Sequence, residues 1–236
     1  MVTEILRGYL EEYGVPLNEE QLRQLEIYAR LLAEWNEKMN LTAIVDDEGI
    51  ALKHFLDSLA LLRFAKIPLG ARVADVGTGA GFPGAVLKIA RPDIELVLID
   101  SLQKRLTFLE EAFSEIGLSA KLGHARAEDA GHDNALREGF DFVTARAVAN
   151  LSVLAEYCLP LVKVGGTFAP MKTAGAEEEI SEAKPAIAAL GGKIREVKLY
   201  ELPLAGGRSV VVIDKTQHTP EKYPRQGTKI SKKPIK

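Results

Sequence analysis

Apolar positions in the first 65 residues recur at helical spacing. Ile5, Leu6, Tyr9, Leu10 and Tyr13 share a face over residues 3–13, and Gly14 and Pro16 stop the run. Asn18, with Gln21 three residues on, forms a capping box. It predicts a second helix whose apolar face is Leu22, Leu25, Tyr28, Leu31, Leu32, Trp35 and Met39. Asn40-Leu41-Thr42 ends that helix. A third starts at Asp46 or Asp47 and runs to about Phe64, with Leu52, Phe55, Leu56, Leu59 and Leu62 facing one way. His54, Asp57 and Ser58 fall on another side, at the spacing that makes neighbours on a helix. Two readings stay open for them: Asp57 orienting His54, or a polar patch that faces a ligand.

From residue 71 the period changes. Short apolar runs at 73–76, 96–100, 120–124, 140–145 and 167–171 alternate with helical stretches at 84–90, 102–116, 150–162 and 177–190. Such alternation predicts an α/β fold with a mostly parallel sheet covered by helices on both faces. Two further strands, near 193–204 and 209–214, are joined by Ala205-Gly206-Gly207 and predict an antiparallel C-terminal hairpin. The chain divides into a helical extension over 1–65, packed on an α/β domain over 66–215, and a tail over 216–236. No internal repeat occurs.

The stretch 73–84, VADVGTGAGFPG, carries the chemistry. A buried strand runs into Gly77, Gly79 and Gly81, and Pro83 suits the first turn of a helix. Glycines permit positive φ and let a ligand approach the backbone, while a helix start offers free N–H groups. Asp75 completes the pattern D-x-G-x-G-x-G. Asp100 ends the second strand about 20 residues on, where a carboxylate can accept ribose hydroxyls. The register has an alternative, since Gly79, Gly81 and Gly84 fit the dinucleotide pattern. Ligands of such sheets sit beyond the carboxyl ends of the strands. That rule nominates Gly77, Gly79, Gly81, Phe82, Asp100, Ser101, Ala127, Glu128, Asp129, Thr144 to Arg146, and Lys172.

Composition narrows the setting. The one cysteine, Cys158, forms no internal disulfide and no cysteine metal cluster, and no metal site is expected. The N-terminus is not a signal peptide and no segment reaches membrane-spanning length, so a cytoplasmic protein is expected. The net charge is −3, yet seven lysines or arginines and a single acid, Glu221, follow Asp214. This basic tail, with Pro220, Pro224, Gly227 and Pro234, is expected to be non-helical and flexible. It is either solvated or an arm for nucleic-acid phosphates.

If the nucleotide is a methyl donor, the acceptor decides what else is required. Cys158 lies inside an apolar helix and reads as core, which argues against the cysteine chemistry of pyrimidine carbon 5. The fourth strand ends in Ala145-Arg146-Ala147-Val148, without the Asn- or Asp-Pro-Pro-aromatic turn used on exocyclic amines. A ring nitrogen such as guanine N7 has a free lone pair and needs no general base.

Longer strings carry a resemblance that spans nearly the whole chain. They are NEKMNLTAI (36–44), HFLDSL (54–59), DVGTGAGFPG (75–84), DSLQKRLTFLEE (100–111), HARAED (124–129), DFVTARAVA (141–149) and LPLVKVGG (159–166). The chain resembles the glucose-inhibited division protein B family of bacterial small-subunit ribosomal RNA guanine-N7 methyltransferases. The resemblance implies the class I S-adenosylmethionine-dependent methyltransferase fold, Rossmann-like, with an N-terminal helical extension. It implies S-adenosylmethionine, and small-subunit ribosomal RNA or the ribosomal subunit as partner, with a monomer expected and no membrane. It places the cofactor at Gly77, Phe82, Ala127, Glu128 and Arg146, with Arg146 able to meet either the methionine carboxylate or a substrate phosphate, and leaves Asn40, His54, Lys172 and Arg208 on the substrate side. The alternatives are an NAD-dependent oxidoreductase built on the glycine turn and a non-catalytic RNA-binding assembly factor.

Overall fold

A computed structural model describes residues 1–235. Seven strands form one sheet in the order β3-β2-β1-β4-β5-β7-β6. They are β1 (Arg72–Val76), β2 (Glu95–Asp100), β3 (Lys121–His124), β4 (Phe140–Arg146), β5 (Val162–Thr173), β6 (Gly192–Leu202) and β7 (Gly206–Lys215). The first five run parallel, and β7 pairs antiparallel with both β5 and β6. The chain steps outward from β1 to β3, then returns to lay β4 on the other side of β1. This reversal opens a crevice beyond the carboxyl ends of β1 and β4, the usual ligand position in open α/β sheets.

Two apolar layers hold the sheet. One face packs on α5 (Gly84–Ala90) and α6 (Gln103–Glu115), which are covered in turn by α1 (Val2–Tyr13), α2 (Glu19–Met39) and the helix that follows. The core there is continuous from Leu6, Leu25 and Phe55 to Val86, Leu98 and Phe108. The other face packs on α7 (Ala127–Ala130), α8 (Leu151–Cys158) and α9 (Glu177–Ala189). Cys158 is fully buried there, and burial pushes its thiol well up.

The helical extension braces the nucleotide turn directly. The expected capping box at Asn18 and Gln21 is present. The Gln21 amide also donates to the carbonyls of Ile89 and Ala90, and Gln24 donates to Ile116 O. Both thereby satisfy carbonyls left open at the ends of α5 and α6. Tyr28, fully buried, donates its hydroxyl to Ala80 O at 2.7 Å. Its ring meets Phe55, Phe82 and Phe108 edge-on. Gly81 sits at φ +86°, and a Cβ there would come within 2.2 Å of Tyr28 Oη.

Four local readings change. The third helix is continuous through α3 (Asp47–Gly49) and α4 (Asp57–Phe64), but Ile50–Leu56 between them is π-helical, a form that recurs at functional sites. Strand β5 starts at Val162, not 167, because Gly165 and Gly166 allow an irregular step in its pairing with β4. The hairpin turn is Pro203-Leu204-Ala205, and Gly206 and Gly207 belong to β7. Ala174 packs against Gly207, where a Cβ would lie 2.5 Å away. The segment after β7 is folded onto the body rather than trailing from it. Pro224 and Ile230 are buried, and one helical turn, α10 (Lys229–Lys232), forms between Gly227 and Pro234. Lys236 lies outside the described residues.

Candidate active site

Two cavities open at the crevice. The first, about 440 Å³, lies beyond β1, β2 and β3. Its size falls within the ~300–1,000 Å³ of small-molecule and cofactor sites. Gly77, at φ +68°, forms part of its wall beneath Val148, whose Cγ2 would lie 2.7 Å from a Cβ on that glycine. Asp100, 2% exposed, lines the same cavity. Gly79 N–H donates to its Oδ2 and Leu102 N–H to its Oδ1, both at 2.9 Å, and Arg105 Nη1 lies 3.2 Å from Oδ2. A carboxylate offers about four lone-pair positions, so capacity remains for a hydroxyl. Ala127 and the buried Glu128 line the far end, where Arg126 Nε donates to Glu128 Oε1 at 2.7 Å. That bond uses one carboxylate oxygen.

The second cavity, about 400 Å³, is lined by charged side chains and a histidine from five segments. Lys53, His54 and Asp57 come from the π-helical stretch and its end, Arg146 from β4, Lys172 from β5, Glu179 from α9 and Arg208 from β7. Four cations face two carboxylates, leaving a positive surplus. Ala147 lines both cavities and adopts φ +56°, a conformation disfavoured for a residue with a Cβ. Strain of this kind collects at functional sites.

Arg146 is the most constrained group. Its Nη1 donates to Asp57 Oδ2 at 2.8 Å and to Lys53 O at 3.0 Å, and its Nη2 donates to His54 Nδ1 at 3.2 Å. The guanidinium lies 5.3 Å from the Phe82 ring centre, and His54 stacks on the same ring at 4.4 Å. Burial first, and then the Arg146 charge, hold His54 down at about 3. The imidazole is therefore neutral. With Nδ1 accepting from Arg146, the proton sits on Nε2 and is donated to Thr42 Oγ1 at 2.9 Å. Asp57 also accepts from the Tyr200 hydroxyl at 2.8 Å. Burial, reinforced by Asp57, pushes that phenol far up, so it remains a donor.

Two of the other three cations are also engaged. Lys172 pairs with Glu179 at 2.6 Å and donates to Ala149 O. Arg208 donates to Ala205 O and Gly207 O. Both carboxylates of the cavity thus already hold cations, and its histidine is neutral with its acceptor nitrogen occupied. Among the described residues of this cavity, none is a free general base.

The candidate residues separate cleanly. Gly77, Asp100, Ala127 and Glu128 line the first cavity, and His54, Arg146, Lys172 and Arg208 the second. Gly79 and Gly81 shape the bend, and Phe82, 5% exposed, packs beneath Arg146 and His54. Arg146, expected on either the cofactor or the substrate side, lines the second cavity, where Asp57 and His54 draw its guanidinium to the helical extension. Asn40 lines neither cavity. It is exposed and ends α2 at φ 47°, a conformation asparagine tolerates. Tyr157, Val148, Ser231, Tyr200 and Glu179 are not nominated by sequence. Their contacts join segments far apart in the chain, and no local pattern marks them.

The model of the GidB family, described as rRNA small subunit methyltransferase G, matches residues 21–205. The chain belongs to that family. A relative in Geobacillus sp. (strain WCH70), named ribosomal RNA small subunit methyltransferase G, is 50% identical over 228 residues, covering 96% of each chain. One of the same name in Lactobacillus johnsonii is 48% identical over 239 residues, covering all of both. Solved structures agree on the fold. A SAM-dependent O-methyltransferase from Thermotoga maritima superposes with a TM-score of 0.57 at 14% identity, covering 80% of this chain and 73% of its own. TrmN from Thermus thermophilus gives 0.53 at 24% identity, covering 67% of this chain and 48% of its own. Family membership sets aside the oxidoreductase alternative. The antiparallel β6–β7 hairpin, where a dinucleotide fold would more often add another parallel unit, agrees with it.

Proposed function

We propose that the chain transfers a methyl group from S-adenosylmethionine to N7 of a guanosine in small-subunit ribosomal RNA. The observation that carries this reading is the pair of cavities meeting at Ala147, the second without a free base. S-adenosylmethionine supplies an electrophilic methyl on a sulfonium, so the protein need only align and desolvate. The first cavity fits it. Asp100 would hold the ribose through a hydroxyl, one Glu128 oxygen would accept from the adenine amino group, and Gly77 would let the backbone approach. The Asp75 carboxylate below the bend has one buried oxygen, Oδ1, without a partner.

The second cavity then receives the base. Guanine N7 brings its own lone pair and has no proton to lose, which matches a site without a free base. Arg146, Lys172 and Arg208 offer N–H donors for a guanine O6 or a flanking phosphate, and Arg146 is preset by Asp57 and His54. The positive surplus suits an RNA phosphate. A cationic product gains nothing from staying there, which favours its release.

The reading sets the chain to work on ribosomal RNA or a ribosomal subunit in the cytoplasm, as a monomer. No helix among the described residues is long and apolar enough to cross a membrane, and no metal-holding cluster occurs among them. The test is methylation of extracted ribosomal RNA and of subunits with labelled S-adenosylmethionine, followed by nucleoside analysis and by chain cleavage after reduction and aniline treatment. Label in 7-methylguanosine is expected. Label in any other nucleoside, or none in a deletion strain's RNA, removes the assignment. A non-catalytic assembly factor would keep its cellular role in an Arg146→Ala strain.

A further inference from the structure

The chain beyond β7 is fastened across α7 and α8. Pro224 lies against Gly131, where a Cβ would meet Pro224 Cγ at 2.8 Å, and His132 Nε2 donates to Pro224 O at 2.7 Å. Arg137 donates to the carbonyls of Thr219 and Tyr223. The Arg225 guanidinium forks onto Glu156, with Nε to Oε1 at 2.9 Å and Nη2 to Oε2 at 2.7 Å. Its own N–H adds a third bond to Oε1. Glu156 is fully buried, so this fork is what satisfies a carboxylate on the inner side of α8. Past Arg225 the hold is lighter. Ile230 is fully buried and Ile235 half-buried, while Lys229, Lys232 and Lys233 are exposed. Beside Ile230, Ser231 lines the same cavity as Asp100, Glu128 and Tyr157.

We propose that this strap, residues 220–235, is part of the cofactor site. It walls the nucleoside end of the first cavity, so that strap docking and cofactor binding stabilise one another. The inference rests on the S-adenosylmethionine reading above. It gives the basic tail a role on the donor side of the crevice, where sequence offers only solvent or RNA. The physical ground is enclosure. Small-molecule sites bury most of their ligand, and without the last turn the cavity loses the surface that Ser231 supplies between α8 and the β3 end. The fastening is graded to match: the Arg225–Glu156 fork keeps the strap's root in place, and one apolar side chain, Ile230, seats the turn that touches the cavity.

Coupling between two such events is reciprocal. If docking tightens the cofactor by some factor, saturating cofactor suppresses strap opening by the same factor. The probe is S-adenosylhomocysteine, the demethylated product. Its affinity is measured by calorimetry for the full chain and for a chain ending at Gln226, which keeps the Arg225 fork. Tryptic cleavage after Lys229 is timed in the full chain with and without saturating probe. We expect the truncated chain to bind about tenfold more weakly and cleavage to slow by the same factor, since the open fraction sets both. Equal affinities with probe-independent cleavage would overturn the strap's role and leave the cofactor reading intact. No binding to the full chain would overturn both. Should the shortened chain not fold, cleavage of the full chain decides alone.

Discussion

The two cavities that meet at Ala147 are built by opposite means. The first is shaped mostly by main chain. Gly77, the loops after β1 to β3, and two backbone N–H groups that fix Asp100 give it its form. The second is shaped largely by charged and polar side chains, with Asp57, Arg146, His54 and Tyr200 interlocked from the helical extension, β4 and β6. A main-chain cavity tolerates the removal of one side chain and gives up only what that side chain touched. An interlocked set of charges fails as a unit, because removing one member leaves its partner buried and unpaired.

The largest expected effect is therefore at Arg146. Arg146→Ala takes the 2.8 Å guanidinium from buried Asp57 and leaves it the Tyr200 hydroxyl and Arg208 at 3.9 Å, and breaking such a buried pair costs about 3–5 kcal/mol. Methylation of ribosomal RNA should fall about 10³-fold, the rate equivalent of ~4 kcal/mol, while S-adenosylhomocysteine affinity falls far less. Arg146→Lys should recover little, since the planar fork is what Asp57 and His54 hold. If product affinity dropped in step with rate, Arg146 would belong to the donor side and the division between cavities would dissolve. Next is Asp100→Asn. Hydrogen bonds to charged groups are worth about 1.5–3 kcal/mol, so product affinity should weaken roughly 10- to 100-fold. Unlike Arg146→Ala, the variant should regain most of its rate at saturating S-adenosylmethionine.

That same contrast governs what is legible in sequence. The first cavity is a local pattern of strand, glycines and acid, and spacing and topology nominate Gly77, Asp100 and Glu128. The second needs the fold. His54 and Asp57 read as helix neighbours, yet their common partner is Arg146, 89 residues beyond Asp57. The strands pair as expected, whereas the β5 start and the hairpin turn shift, because glycine marks both a turn and a packing site and sequence does not distinguish them. Lys215 is hidden in the same way. A lysine at the head of a basic tail reads as solvated, yet it is buried and donates to Leu159 O, Val162 O and Thr219.

Acid titration offers a smaller effect that separates the two regions by sign. His54 folds with its pKa near 3, below its ordinary 6.5. Between these values the unfolded chain holds the extra proton, so His54 costs stability as pH falls. Asp75, under the glycine bend, is pushed by burial to about 6 from 3.8, against the pull of the Thr78 hydroxyl and Gly84 N–H. There the folded chain takes the proton first, so Asp75 adds stability as pH falls from about 6 to 3.8. Each slope is at most ~1.4 kcal/mol per pH unit. Urea midpoints taken as differences from wild type should show this. His54→Asn should gain relative stability on acidification, and Asp75→Asn should lose it. Parallel curves would mean that neither environment perturbs its group.

The smallest expected effect concerns the strap's outer face. Lys229, Lys232 and Lys233 are exposed beside a turn whose inner face reaches the first cavity. If they also meet RNA phosphates, changing all three to alanine should lower the log–log salt slope of RNA binding by roughly 0.7–0.9 for each phosphate no longer neutralised. Product affinity should stay constant, because Ile230 and the Arg225 fork still seat the turn. Deleting residues 215–236 is a poor substitute. It removes Lys215 from β7 and the guanidinium from Glu156, so weakened RNA binding would report a damaged body rather than missing phosphate partners. An unchanged slope in the triple variant would confine the strap to the donor side. RNA capture would then fall to the second cavity, where Lys53, Arg146, Lys172 and Arg208 already supply the charge.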